Sequence, residues 1–144
     1  MDVTAEAAPD GENLRGTKIV LAKAGLDAHE RGVHVVALGL RDAGADVIYL
    51  GLRQTPQEVV RAAVQEDADF IGLSSLAGGH LGYIRQLNAE LSAQECDSQL
   101  VLGGVIQPEE IDTLTELGVR AVFLPGTMLR DIVTQLNALR VQRD

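Results

Sequence analysis

Aromatic side chains are nearly missing from this chain. Tryptophan is absent, and two phenylalanines and two tyrosines are all that 144 residues contain. A flavin or a row of unpaired bases is held by stacking on aromatic faces, so neither a flavodoxin nor a single-strand binder fits this composition. Basic residues are also scarce, with 12 lysines and arginines against 21 aspartates and glutamates and a formal net charge of −9. Phosphate neutralisation supplies most non-specific affinity for nucleic acid, and an acidic chain without a basic stripe is not built for that partner. A single cysteine, Cys96, excludes an intramolecular disulfide and reads as a structural or surface thiol in a reducing compartment. No apolar run approaches the ~18 residues that span a bilayer. Residues 1–15 lack the apolar stretch of a secretory signal, so the expectation is a cytoplasmic protein with no membrane contact.

The chain does have enough apolar residues, 46% of its length, for one ordinary domain of roughly 100–150 residues. Residues 1–15, where Pro9, Asp10, Gly11, Glu12 and Asn13 stand among small residues, show no apolar periodicity and are expected to form a flexible arm. Residues 16–144 are expected to form the domain. Five short apolar runs punctuate it: Lys18 to Ala22, Val47 to Leu50, Phe70 to Leu73, Leu100 to Leu102 and Ala121 to Leu124. Runs this continuous suit strands covered on both faces, as in a parallel sheet. Between them, apolar residues recur at helical spacing. Val33, Val36, Ala37 and Leu40 share one face, as do Val59, Ala62 and Ala63, and further stripes are Ile84, Leu87, Leu91, then Ile111, Leu114, Leu117, then Ile132, Leu136, Leu139. Thr55-Pro56 and Gln107-Pro108-Glu109-Glu110 mark helix starts, and Gly44 and Gly118 mark helix ends.

Strand and helix alternating through short connections predict an α/β fold with right-handed crossovers. The expected architecture is flavodoxin-like (Rossmann-like), a doubly wound five-stranded parallel sheet of order 2-1-3-4-5 with helices on both faces. Ligands bind such sheets at the carboxyl ends of the strands, where the order reverses between the first and third strands. The turns leaving those two strands are residues 23–32 and 74–80. They carry Lys23, Asp27, His29 and Gly32, then Ser74, Ser75, Leu76, Ala77, Gly78, Gly79 and His80, and the turn after the fourth strand adds Gly103-Gly104. Small residues there leave a groove for an extended ligand, with serine hydroxyls as its few polar anchors. Asp27 lies close enough in sequence to hold one ring nitrogen of His29 while the other faces a metal. An Asp-x-His pair alone is more often that of a helix cap or a solvated imidazole, so its weight comes from the rest of the chain.

The three-part pattern is Asp27-x-His29-x-x-Gly32, 41 residues, Ser74-x-Leu76, 26 residues, Gly103-Gly104. It resembles the cobalamin-binding domain of base-off/His-on enzymes. Ser74 through His80, Gly103-Gly104-Val105-Ile106 and Gly126-Thr127 extend the likeness to the acyl-CoA mutases of the methylmalonyl-CoA, isobutyryl-CoA and 2-hydroxyisobutyryl-CoA type, over roughly residues 16–140. The resemblance implies that His29 displaces the cofactor's dimethylbenzimidazole and ligates cobalt from the lower face. It implies that Asp27 accepts a hydrogen bond from the other ring nitrogen and that Lys23 pairs with Asp27. Ser74 would hydrogen-bond the displaced base, Leu76 would wall it, and Gly32, Gly103 and Gly104 would give the nucleotide tail room. Arg31, Gly78, His80, Gly126 and Thr127 complete the implied cofactor contacts, with His80 a cap or corrin-edge residue and no second cobalt ligand. Lys23 read alone is a strand-end lysine in solvent, and His34 reads as a surface or interface residue.

The cofactor so implied is adenosylcobalamin. The resemblance further implies the small subunit of a two-subunit mutase, inactive alone, whose larger barrel subunit binds the acyl-CoA, with a G-protein chaperone as a further partner. The joint reaction would be a radical 1,2 carbon-skeleton rearrangement of a short branched acyl-CoA such as isobutyryl-, 2-hydroxyisobutyryl-, pivalyl- or methylmalonyl-CoA. A corrinoid carrier of a methyltransferase system is the alternative, but it normally follows a helical cap for which residues 1–15 are too short. A receiver-type signalling domain needs an acidic cluster after the first strand and an aspartate after the third, where Lys23 and Ser74 stand.

Overall fold

The computed structural model describes residues 3–4, 13–23, 31–51, 54–75 and 80–143. In chain order the elements are β1 (Val3–Thr4), β2 (Lys18–Lys23), α1 (Arg31–Asp42), β3 (Asp46–Tyr49), α2 (Pro56–Glu66), β4 (Phe70–Ser75), α3 (His80–Ala93), β5 (Gln99–Gly104), α4 (Ile111–Glu116), β6 (Val119–Phe123), β7 (Thr127–Met128) and α5 (Leu129–Arg143). Five strands form one parallel sheet in the order β3-β2-β4-β5-β6. Counted along the chain within that sheet, this is the expected order 2-1-3-4-5.

Strand residues alternate between the two faces, and here each face has its own core. Ile19, Leu21, Phe70, Val101 and Phe123 point toward α1 and α5. Val20, Ala22, Ile71, Leu73, Leu100 and Leu102 point toward α2, α3 and α4. The predicted helix stripes supply the other half of each core: Val33, Val36, Ala37, Leu40, Ile132 and Leu136 on one side, Val59, Ala63, Ile84, Leu87 and Leu114 on the other. Burying a side chain of this size contributes about 1.5–3 kcal/mol. The two helices over the first core approach closely, since a Cβ on Gly39 of α1 would overlap the Leu129 side chain at the start of α5.

Local signals set the ends of the elements. Thr55 caps α2 through a reciprocal capping box: the Glu58 N–H donates to Thr55 Oγ1 at 3.1 Å and the Thr55 N–H to Glu58 Oε1 at 3.0 Å. Gly44 and Gly118 have φ of 104° and 96°, the left-handed backbone that glycine adopts without a Cβ penalty. The expected fourth helix is split, because Pro108–Glu110 form a single 3-10 turn before α4 begins. The strand expected to reach Leu124 stops at Phe123, which leaves Leu124 exposed. At the amino-terminal edge of the sheet, Arg140 of α5 donates to Thr17 Oγ1 at 2.6 Å and to the Arg15 carbonyl at 2.7 Å. Within the stretch expected to be an arm, β1 pairs in parallel with β7, Val3 opposite Thr127 and Thr4 opposite Met128. Among the described residues no helix is long and apolar enough to cross a membrane.

The Tyr83 hydroxyl of α3 donates to the Gln54 carbonyl at 2.7 Å, tying the β3–α2 connection to the helix. Burial pushes its pKa up to about 12, and the nearby Glu58 charge adds to the shift. A phenol whose folded pKa is raised holds its contribution below the ordinary value of 10.0 and loses it as pH climbs through about 12. Urea unfolding should therefore show the chain losing stability across that alkaline window relative to Tyr83→Phe, and the two proteins should respond alike to pH below it.

Candidate functional site

In the parallel register the carboxyl ends of the strands line up one row of residues across the sheet. Lys23 of β2 lies opposite Ser74 of β4, Ser74 opposite Gly103 of β5, and Gly103 opposite Phe123 of β6. By alternation this row belongs to the α1/α5 face, continuing Ile19 and Leu21 on β2 and Phe70 on β4. Small residues occupy its middle, so helices and sheet do not close on one another there. An apolar cleft of about 30 Å³ results. Its floor is Gly72, Ser74 and Gly103, its walls are Val33 and Val36 of α1 and Ile132 of α5, and Phe123 lies at one end. Ser74 is the one polar side chain among the lining residues and is 2% exposed. A flat, apolar group with one hydrogen-bonding atom matches that lining.

Lys23 ends β2 with 0% exposure, which corrects the reading of a solvated strand-end lysine. An ammonium stripped of water this completely requires acceptors around it. Asp27 and His29, which follow Lys23 in the sequence, lie outside the described residues, as do Leu76 and Gly78. Arg31 and Gly32 open α1, and His80 opens α3. Gly103 and Gly104 close β5, both buried, and Gly104 takes φ of 141°. Gly126 is exposed with φ of 88°. Thr127 starts β7 and its hydroxyl donates to the Leu124 carbonyl at 2.5 Å. The turns that the sequence singles out therefore leave the same sheet edge, while Gly126 and Thr127 lie on the connection from β6 to α5. His34 is exposed on α1, as expected, with its ring edge-on to Tyr49 at 4.9 Å between centroids. Among the described residues no group of three or more histidines, cysteines, aspartates and glutamates gathers to hold a metal.

The cleft walls escaped the sequence reading. Val33, Val36, Ile132 and Leu136 were visible only as core stripes, and Gly72 only as part of a strand. The available signal was the alternation along β4 and β5, where Gly72, Ser74 and Gly103 fall on one face and Leu73 and Leu102 on the other.

Comparison with known proteins shows the family. The B12 binding domain family matches residues 17–133. The chain is 43% identical over 127 residues to the 2-hydroxyisobutanoyl-CoA mutase small subunit of Aquincola tertiaricarbonis, covering 88% of this chain and 93% of that one. It is 45% identical over 123 residues to the methylmalonyl-CoA mutase large subunit of Streptomyces virginiae, covering 85% of this chain and 17% of that much longer protein. Among solved structures, a cobalamin-binding protein from Desulfitobacterium hafniense DCB-2 superposes with a TM-score of 0.74 at 23% identity, over 87% of this chain and 59% of its own, a likeness of fold. With its family matched from the first buried strand into the last helix, and mutase sequences among its relatives, the chain belongs to the B12-binding domain family.

Proposed function

We propose that this chain is the adenosylcobalamin-binding small subunit of a two-subunit acyl-CoA mutase, with residues 16–144 as the cobalamin-binding domain and 1–15 as an arm. The observation that carries the reading is the row Lys23, Ser74, Gly103 under the α1/α5 cleft, at the sheet edge from which the Asp27-x-His29 turn departs. One buried hydroxyl and two glycines on an otherwise apolar floor, with the buried Lys23 beside Ser74 in the strand register, suit an imidazole ligand carried by that turn and a planar base stored beside it. Near-complete coverage of a mutase small subunit supports the division into two subunits.

In this reading His29 gives one ring nitrogen to cobalt and its other N–H to the Asp27 carboxylate. That hydrogen bond fixes the tautomer and raises the basicity of the ligand. Lys23 holds Asp27 in turn, the carboxylate answering the need of a buried ammonium for an acceptor. Ser74 hydrogen-bonds the displaced benzimidazole within the cleft, Leu76 walls it, and Gly32, Gly103 and Gly104 let the nucleotide tail run close to the backbone. Arg31, Gly78, His80, Gly126 and Thr127 border the tail and corrin. When bound, adenosylcobalamin supplies homolysis of its cobalt–carbon bond, while the protein supplies orientation and protection. Covering the bound corrinoid would fall to a larger barrel subunit, which would also hold the acyl-CoA and select it. The reaction is a 1,2 carbon-skeleton rearrangement of a short branched acyl-CoA, the class to which 2-hydroxyisobutanoyl-CoA belongs, and a G-protein chaperone fits as a loading partner in a reducing cytoplasm.

Mixing the chain with adenosylcobalamin should give the absorption spectrum of a base-off, imidazole-ligated corrinoid, and His29→Ala should lose it. An unaltered spectrum and affinity in that variant would refute the ligand assignment. Gly103→Val, which places a branched side chain on the cleft floor, should weaken cobalamin binding about tenfold or more by overpacking while the free protein keeps its circular dichroism. Alone, the chain should isomerise no acyl-CoA. Turnover should appear only when a barrel subunit is added, and turnover by the chain alone would remove the two-subunit reading.

A further inference from the structure

We infer that the α1/α5 cleft selects among corrinoids by their lower base, taking a benzimidazole in preference to a purine. The inference rests on the reading of the cleft as the place where the displaced base is stored, and it names the class of base that the place accepts. Among the described residues that line the cleft, only Ser74 has a polar side chain, and the others are aliphatic residues, glycines and Phe123. Backbone groups of the floor do not make up the difference. From Gly72 to Ser74, β4 is paired with β2 on one side and with β5 on the other, so its N–H and carbonyl groups are spent on the sheet.

The chemistry of the base meets this lining unequally. A dimethylbenzimidazole released from cobalt has one free hydrogen-bonding atom, the ring nitrogen that had faced the metal. Its other nitrogen carries the ribose, and its methyl groups are apolar. The Ser74 hydroxyl, a donor as well as an acceptor, answers that single nitrogen. Adenine in the same place keeps the corresponding nitrogen and adds two further ring nitrogens and an exocyclic amine. Polar atoms moved from water to aliphatic walls lose hydrogen bonds that nothing replaces. A site so lined discriminates through the groups it leaves unanswered. Adenine is also the less basic donor and leaves cobalt more readily, which by itself favours the purine form. A preference for benzimidazole therefore comes from the protein. Val101 is the position at which the lining can be altered. It lies opposite Gly72, one row from Ser74 and Gly103 on the same face of the sheet, and it lines the cleft at 6% exposure. Val101→Thr keeps the branched shape and adds a hydroxyl.

The test is equilibrium dialysis of the full chain against three probes: adenosylcobalamin, its analogue with adenine as the lower base, and adenosylcobinamide, which has no base. Adenosylcobalamin should bind about a hundredfold more tightly than the adenine analogue, the equivalent of about 2.8 kcal/mol. The adenine analogue should bind no more tightly than the cobinamide. In Val101→Thr with unchanged circular dichroism, the ratio between the two base-bearing probes should fall about tenfold. Equal affinity for those two probes, both tighter than the cobinamide, overturns the selection and leaves the storage of the base intact. A preference for adenine does the same. A ratio that stays unchanged in folded Val101→Thr places the discrimination outside the cleft lining and also overturns the inference. If adenosylcobalamin binds no more tightly than the cobinamide, the base is not held in the cleft, and the reading on which the inference rests fails first.

Discussion

Lys23 carries the alternation of β2 one residue past its hydrophobic stretch, and the rest of the site follows from its having nowhere to go but inward. Ile19 and Leu21 point to the α1/α5 core, so the next residue of the same parity must point there too, and that residue is an ammonium without solvent contact. Burial of an uncompensated charge costs several kcal/mol. Hydrogen-bond acceptors for that ammonium are therefore a condition of the fold at the carboxyl end of β2.

The two sides of the sheet are filled unequally, and the inequality is the origin of the site. Over β4 and β5 the α2/α3/α4 face receives Ile71, Leu73, Leu100 and Leu102, all buried. From the same strands the opposite face receives Gly72, Ser74 and Gly103 toward their carboxyl ends. Close packing of protein interiors leaves little free space where side chains are large. A shortage of side-chain volume on one face is thus enough to open a slot between helices and sheet, with no specialised loop needed to build it. One strand pair stabilises the fold with one set of side chains and provides a binding cleft with the other.

Much of this was legible from the residues, and the reasons differ by feature. Strands buried on both faces write themselves as continuous apolar runs, and each helix declared its inner face through a stripe such as Val33, Val36 and Leu40. The capping box at Thr55 and the glycine at 44 encode their conformations locally, within three or four residues. The burial of Lys23 is not local: a lysine at a strand end looks the same in sequence whether solvent or a carboxylate receives it. Equally hidden was β1, because Val3 and Thr4 join β7 by backbone pairing, and main-chain hydrogen bonds leave no periodic trace in a segment of two residues. The cleft was half legible, its glycines and serine recognisable as a group, its helical walls indistinguishable from ordinary core until two stripes were seen to face one gap.

The register between β5 and β6 slips by one residue, Leu100 pairing with Val119 but Val101 with Ala121. Arg120 is the extra residue and stays exposed. Because successive side chains point to opposite faces, this single insertion reverses the parity of everything after it: Val119 belongs to the α2/α3/α4 core, yet Phe123 belongs to the α1/α5 core and ends the cleft. Without the bulge, Val122 would stand there and the phenyl ring would face the other way. The shape of this cavity is therefore tuned by strand register as well as by residue identity: the bulge absorbs Arg120 and keeps the phenyl ring opposite Gly103, whereas a strand that took Arg120 into regular register would present an aliphatic end wall without a substitution at any lining position.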